Sequence, residues 1–131
     1  MLHPNQFQVN EAWIVFKLND TPIPTDIDGD FNLIVLMDAA SCFILSSLPV
    51  SAKAVLQPTA LEAKELLKKG WSHKQELPKT LFIPTHQAAN ALQIEAESQG
   101  ITVARVPEDQ LILFIGEAKT GFKERFGRGG M

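Results

Sequence analysis

One cysteine, Cys42, stands among 131 residues, so no disulfide can form within the chain. A lone thiol fits a reducing compartment, and a cytoplasmic protein is expected. No apolar run approaches the roughly 20 residues that a membrane-spanning helix needs. The first ten residues, MLHPNQFQVN, lack the basic start and apolar stretch of an export signal. Neither insertion nor export is expected. Positive charge is not in surplus either: the net charge of -3 and a pI near 5.6 offer phosphate backbones no overall attraction, so nucleic acid is not an expected partner. The patterns GxxxxGK[ST], GxGxxG and GxSxG are all missing, which leaves nucleotide and acyl-transfer chemistry without a motif and calls for no cofactor. His3, His73 and His86 lie far apart with no His or Cys partner nearby, so no metal set, zinc included, is expected.

What remains is an ordinary globular composition, 45% hydrophobic and 21% charged. Its length suits one domain, residues 1–131, with one core and flexible ends at about 1–10 and 127–131. Charge is uneven along it. Lys17 is the only Lys or Arg among residues 1–50, against Glu11, Asp20, Asp26, Asp28, Asp30 and Asp38.

The periodicity predicts a strand over Ala12 to Leu18, AWIVFKL, followed by a loop over Asn19 to Asp30 whose prolines, glycine and aspartates cannot pair in a central sheet. Phe31 to Met37, FNLIVLM, reads as a strand buried on both faces near the sheet centre. Asp38 to Ser41 turns it into an antiparallel partner, Cys42 to Leu48. Thr59 and Glu62 form a capping box that opens a helix, with Gly70 as its left-handed stop and Ala60, Ala63, Leu66 and Leu67 on its buried face. Lys79 to Pro84 is a short buried strand. A second helix is expected from Thr85 as N-cap to Gly100, with Ala88, Ala91, Leu92 and Ala96 inward, and then a strand over Ile101 to Val106. A crossover of that length makes the two strands parallel and the connection right-handed. Leu111 to Ile115 fits strand or helix. Leu111, Ile115, Ala118, Phe122 and Phe126 recur at helical spacing, which predicts a last helix from about Gly116 to Phe126.

The resulting order, β-β-β-α-β-α-β-α on a mixed five-stranded sheet, is an α/β arrangement that resembles the ribonuclease H-like fold. FNLIVLMDAASCFIL is similar to the acid-bearing hairpin of integrase and transposase cores, and the KTLFIP and ITVARVP strands are similar to those of uncharacterised bacterial domains. The resemblance covers about residues 12–126. It implies a two-metal nuclease, with carboxylates on the central strand, on a helix and beside the fourth strand. Asp38 with Glu62 or Glu65 are the candidates for that role. However, the family pattern puts its first acid on the first strand, and after the fourth strand this chain reads Pro84-Thr85-His86-Gln87. The plainer reading makes Asp38 a turn residue bonded to its own backbone.

Other features weigh less. Asp26 to Asp30 lacks the Gly and Glu spacing of a calcium loop and reads as a solvated acidic turn. Cys42 reads as a small buried hydrophobe, with nothing to bring His86 to it as a base. Thr85, His86 and Gln87 can offer hydroxyl, imidazole, amide and N–H groups to a small anion at a helix N-terminus, against the plainer reading of a cap. Lys119, Lys123, Arg125 and Arg128 form a basic strip diluted by Glu117 and Glu124. Two classes of function therefore stand. One is a non-catalytic interaction or structural module that binds an unknown protein through a sheet edge or its last helix, and the other is a metal-dependent phosphodiesterase using Asp38. The sequence leaves the association state open.

Overall fold

The computed structural model describes residues 1–19, 29–51, 59–87 and 89–122. Five strands, β1 (Ala12–Lys17), β2 (Phe31–Asp38), β3 (Ile44–Ser51), β4 (Thr80–Pro84) and β5 (Thr102–Val106), make one sheet in the order β3-β2-β1-β4-β5. The β1–β2 and β2–β3 pairs are antiparallel, while β1–β4 and β4–β5 are parallel. Helices α1 (Ala60–Lys74), α2 (Asn90–Ser98) and α3 (Ile112–Phe122) complete the frame, with 3-10 turns at Pro4–Gln6 and Glu108–Leu111. The element order and the mixed sheet are those expected.

The central strand is β1, and β2, which holds Phe31 to Met37, lies beside it near the sheet centre as expected. Five consecutive β1 residues, Ala12 to Phe16, are buried on both faces, whereas the first three of β2 are only half-buried. One core was expected and the sheet carries two. Trp13, Val15, Leu36, Leu81 and Ile83 face Leu66 and Leu67 of α1 and Leu92 and Ala96 of α2. Ile14, Phe16, Val35 and Met37 face Leu111, Phe114 and Ile115 on the other side. Alternation along each strand divides the side chains between them.

The capping box forms as read: Thr59 Oγ1 accepts from the Glu62 N–H at 3.2 Å and Glu62 Oε1 accepts from the Thr59 N–H at 2.9 Å. Gly70, however, does not end α1. It lies inside the helix against Leu36 and Trp13, and the chain instead turns left-handed at Gln75, with φ of 59°. Ala63, Leu66 and Leu67 are buried, but Ala60 is exposed. Thr85 is not the cap of α2 either. That helix starts at Asn90 after Ala89, because residues 85–87 form a turn in which the Gln87 N–H donates to the Pro84 carbonyl. Ala88 lies outside the described residues, and Gly100 leaves α2 with φ of 86°.

Leu111 to Ile115 is helical, closing the 3-10 turn and opening α3 four residues before the expected start. Phe126 and residues 127–131 lie outside the described residues, as do Asp26 to Asp28. The first ten residues, expected to be loose, are docked. The Leu2 N–H donates to the Gln110 carbonyl, and Phe7 packs edge-on to Phe82 with ring centres 5.8 Å apart. No helix among the described residues is long and apolar enough to cross a membrane.

Candidate functional site

In a sheet of this order, β1, β4 and β5 run parallel and open their carboxyl ends onto one edge, where α/β folds place ligands. Ile14 lies opposite Phe82, so Lys17, Pro84 and Val106 all end there. β1 brings no carboxylate to that edge, since its residues are AWIVFK. Past β4, Thr85 and His86 are exposed and Gln87 is half-buried.

Asp38 emerges at the opposite edge. It pairs with Trp13 at the start of β1 and is fully buried. Its Oδ1 accepts from the Asn10 N–H at 2.7 Å, and its Oδ2 accepts from the Ser41 N–H at 3.0 Å and the Ser41 hydroxyl at 2.7 Å. Asn10, itself left-handed at φ of 67°, accepts from the Trp13 indole N–H at 2.8 Å and donates to the Glu76 carbonyl at 3.1 Å. This buried network fastens the start of β1, the β2–β3 turn and the exit of α1 to one another. The turn reading of Asp38 describes its Ser41 contacts. Its bond to Asn10, 28 residues away, was beyond local pattern.

The helical acids do not join it. Glu62 is held in the capping box, and Glu65 pairs with Lys69 at 3.4 Å on the helix surface. Among the described residues, no three His, Cys, Asp or Glu side chains converge on a point that could hold a metal ion. Cys42 sits in the β2–β3 turn rather than in a strand, left-handed at φ of 58°, and β3 starts two residues later. Burial, then the negative charges of Glu117 and Asp38, push its thiol pKa up. His86 is at the other end of the sheet, so the two are not a nucleophile and base.

The carboxyl edge does contain one acid that sequence reasoning missed. Glu108 follows β5, lies 3.5 Å from His86 Nε2 and 3.9 Å from Lys119 Nζ, and is half-exposed. Its position was readable in principle, because any residue just past a strand parallel to β4 arrives at the same edge. Arg105 on β5 is the second omission. Its guanidinium donates to Gln93 Oε1 at 3.1 Å, to the Pro84 carbonyl at 3.1 Å and to the Gln87 carbonyl, tying down the turn after β4. Gln87 Nε2 is buried and has no hydrogen-bond partner among the described residues. Among the described residues Glu108 is the acid of this edge that meets basic groups, with His86 and Lys119 beside it.

No family model matches the chain, and no curated protein is a detectable relative. Solved structures do match. The catalytic core domain of the HTLV-2 integrase in complex with magnesium, in its trimeric form, superposes with a TM-score of 0.59 at 15% identity, over 89% of this chain and 68% of that one. Its dimeric form gives 0.53 at 16%, over 90% and 85%. The simian T-cell lymphotropic virus intasome in complex with the PP2A regulatory subunit B56 gamma gives 0.57 at 19%, over 98% of this chain but only 43% of that one. At such identities the likeness is one of fold. The chain has the ribonuclease H-like fold of integrase cores.

Proposed function

We propose that this chain is a non-catalytic module on a ribonuclease H-like scaffold and that it acts by binding another protein. The observation that carries this reading is the mismatch between its acids and its ligand-bearing edge. Asp38 is bonded out at the far edge, β1 supplies no carboxylate, and Glu108 is flanked by His86 and Lys119. A pair of cations needs several oxygens at one point, and among the described residues no three acids, histidines or cysteines converge on one. Integrase-core structures solved as a dimer, as a trimer and with a regulatory subunit motivate the choice of a protein partner. We place the protein in a cytoplasm, for which the free thiol of Cys42 speaks, and in a bacterium, on the likeness of its KTLFIP and ITVARVP strands to bacterial domains.

The test is a crystal soaked in Mn²⁺, together with a cleavage assay on DNA and RNA oligonucleotides. The expected result is neither cleavage nor a site filled by three or more carboxylate oxygens. Metal at Asp38, with cleavage that Asp38→Asn abolishes, would establish the phosphodiesterase instead.

A second reading is favoured by Gln87 Nε2, buried without a hydrogen-bond partner among the described residues, beside exposed Thr85 and His86: a small anion bound over the turn after β4. It predicts a rise in melting temperature with phosphate that Thr85→Ala and His86→Ala both remove. An equal rise in the variants eliminates it.

A further inference from the structure

Strand β3 is an edge strand: among the described residues it pairs only with β2. The orientation of its free backbone groups follows from the register. The Leu33 carbonyl accepts from the Leu18 N–H on the β1 side, so Leu33 and its partner Pro49 turn their backbone groups away from each other. Proline, which has no N–H, thus occupies an outward position where its missing donor breaks no bond within the sheet. By alternation Ser47, opposite Val35, also directs its N–H and carbonyl to the open edge. Leu45 is the extra residue of a bulge, since Leu36 pairs with Ser46 and Met37 with Ile44.

Beside this edge runs the carboxyl-terminal half of α1. Ser46 Oγ donates to the Leu66 carbonyl at 2.9 Å and fixes the helix against the strand. Between them is a groove of about 470 Å³, lined by Leu45, Ser46 and Ser47 on the strand and by Lys69, Ser72 and His73 on one helix face. The Ser72 hydroxyl is engaged by the Lys68 carbonyl at 3.0 Å, so the lining groups free to attract charge are Lys69 and His73. Among the described residues Lys69 pairs with Glu65, in a half-exposed pair of the kind that contributes little and exchanges readily. Phe43, 54% exposed, packs edge-on to His73 with ring centres 5.6 Å apart and forms an apolar rim.

We propose that this groove takes a short extended peptide that adds antiparallel to β3 as a sixth strand, so that its acidic carboxyl-terminal end meets Lys69 and His73 beside the start of β3. The proposal rests on the interaction reading given above. The outward N–H and carbonyl of Ser47 supply the main-chain pairing on which strand addition depends. Pro49 cannot donate and ends that pairing after a few residues, which keeps the ligand short. Lys69 and His73 select acidic residues at its end, and Phe43 accepts an apolar side chain.

The probe is an octapeptide of alternating valine and threonine that ends in two glutamates, titrated to about 1 mM into the full ¹⁵N-labelled chain. Saturable amide shifts are expected at residues 45–47 and 69–73. Ser47→Pro, which deletes the outward N–H, should weaken binding up to about tenfold. Lys69→Glu should weaken it by about tenfold. Should Ser47→Pro fail to fold, the exposed Lys69→Glu carries the test by itself. The proposal is overturned if no shift appears, if shifts fall outside these two segments, if Lys69→Glu binds as wild type does, or if sodium phosphate alone reproduces the pattern. A cleavage assay on the same sample separates the two claims. Cleavage overturns the non-catalytic reading and not the groove, whereas silence in both experiments overturns the groove alone.

Discussion

Gly70 and Gly116 are both interior helical glycines, and the structure assigns the same substitution opposite signs at the two sites. Alanine gains roughly 1 kcal/mol over glycine in a helix interior. At Gly116 a Cβ would meet none of the described residues within 4 Å, so Gly116→Ala should stabilise by about that amount. At Gly70 the same Cβ would stand 2.6 Å from Leu36 Cδ2 and 3.2 Å from two ring carbons of Trp13. Both neighbours are fully buried beneath α1, so neither can swing into solvent. Forcing them off their rotamers and opening the helix–sheet contact costs about 1–3 kcal/mol, which outweighs the gain in propensity. A net loss of about 1–2 kcal/mol is expected for Gly70→Ala, and the two variants should differ by about 2–3 kcal/mol. Urea unfolding measures this directly, and in melting the gap should approach 10 °C at roughly 3–5 °C per kcal/mol for a chain of this size. Equal stabilisation of both variants would refute the close packing of α1 on β1 and β2.

Two further outcomes follow from the turns. Thr59→Ala removes half of the capping box and should cost about 1 kcal/mol in urea unfolding, whereas Glu62→Gln, which keeps an acceptor for the Thr59 N–H, should cost a few tenths. Cys42 should react with iodoacetamide more slowly than a free thiol at pH 8, with its rate midpoint above the ordinary thiol value of about 8.5. Because the folded thiol ionises later than the unfolded one, its contribution is intact below about pH 8.5 and is lost as pH rises through the folded value. Wild type and Cys42→Ser should therefore show parallel stability profiles up to about pH 8, above which wild type falls more steeply.

Much of the frame was legible because its signals are local. AWIVFK, FNLIVLM and TLFIP announce buried strands by composition, and Thr59 with Glu62 announces a helix start three residues apart. Gly70 misled because its role is set by Trp13 and Leu36 from other elements, and a glycine beneath a packed indole looks in sequence like a glycine at a helix end. Thr85 misled because it follows a strand-ending proline as a cap would, while Arg105, reaching in from β5, holds that turn outside the helix. Asp38 was recognised as a turn residue, but its bond to Asn10 joins positions that only the folded sheet brings together. Glu108 needed one more step of reasoning, that residues just past two parallel strands share an edge.

The central claim is that Asp38 holds the fold together rather than holding a metal. Asp38→Asn tests it most directly, followed by melting and by Mn²⁺-dependent cleavage of DNA and RNA. Both Asp38 oxygens accept from a backbone N–H, so an amide nitrogen at Oδ1 faces the Asn10 N–H and at Oδ2 faces the Ser41 N–H inside a fully buried site. The account predicts a loss of about 1–3 kcal/mol, a melting temperature that Mn²⁺ does not raise in wild type or variant, and no cleavage by either. An unchanged melting temperature, with cleavage present in wild type and gone in the variant, would contradict it.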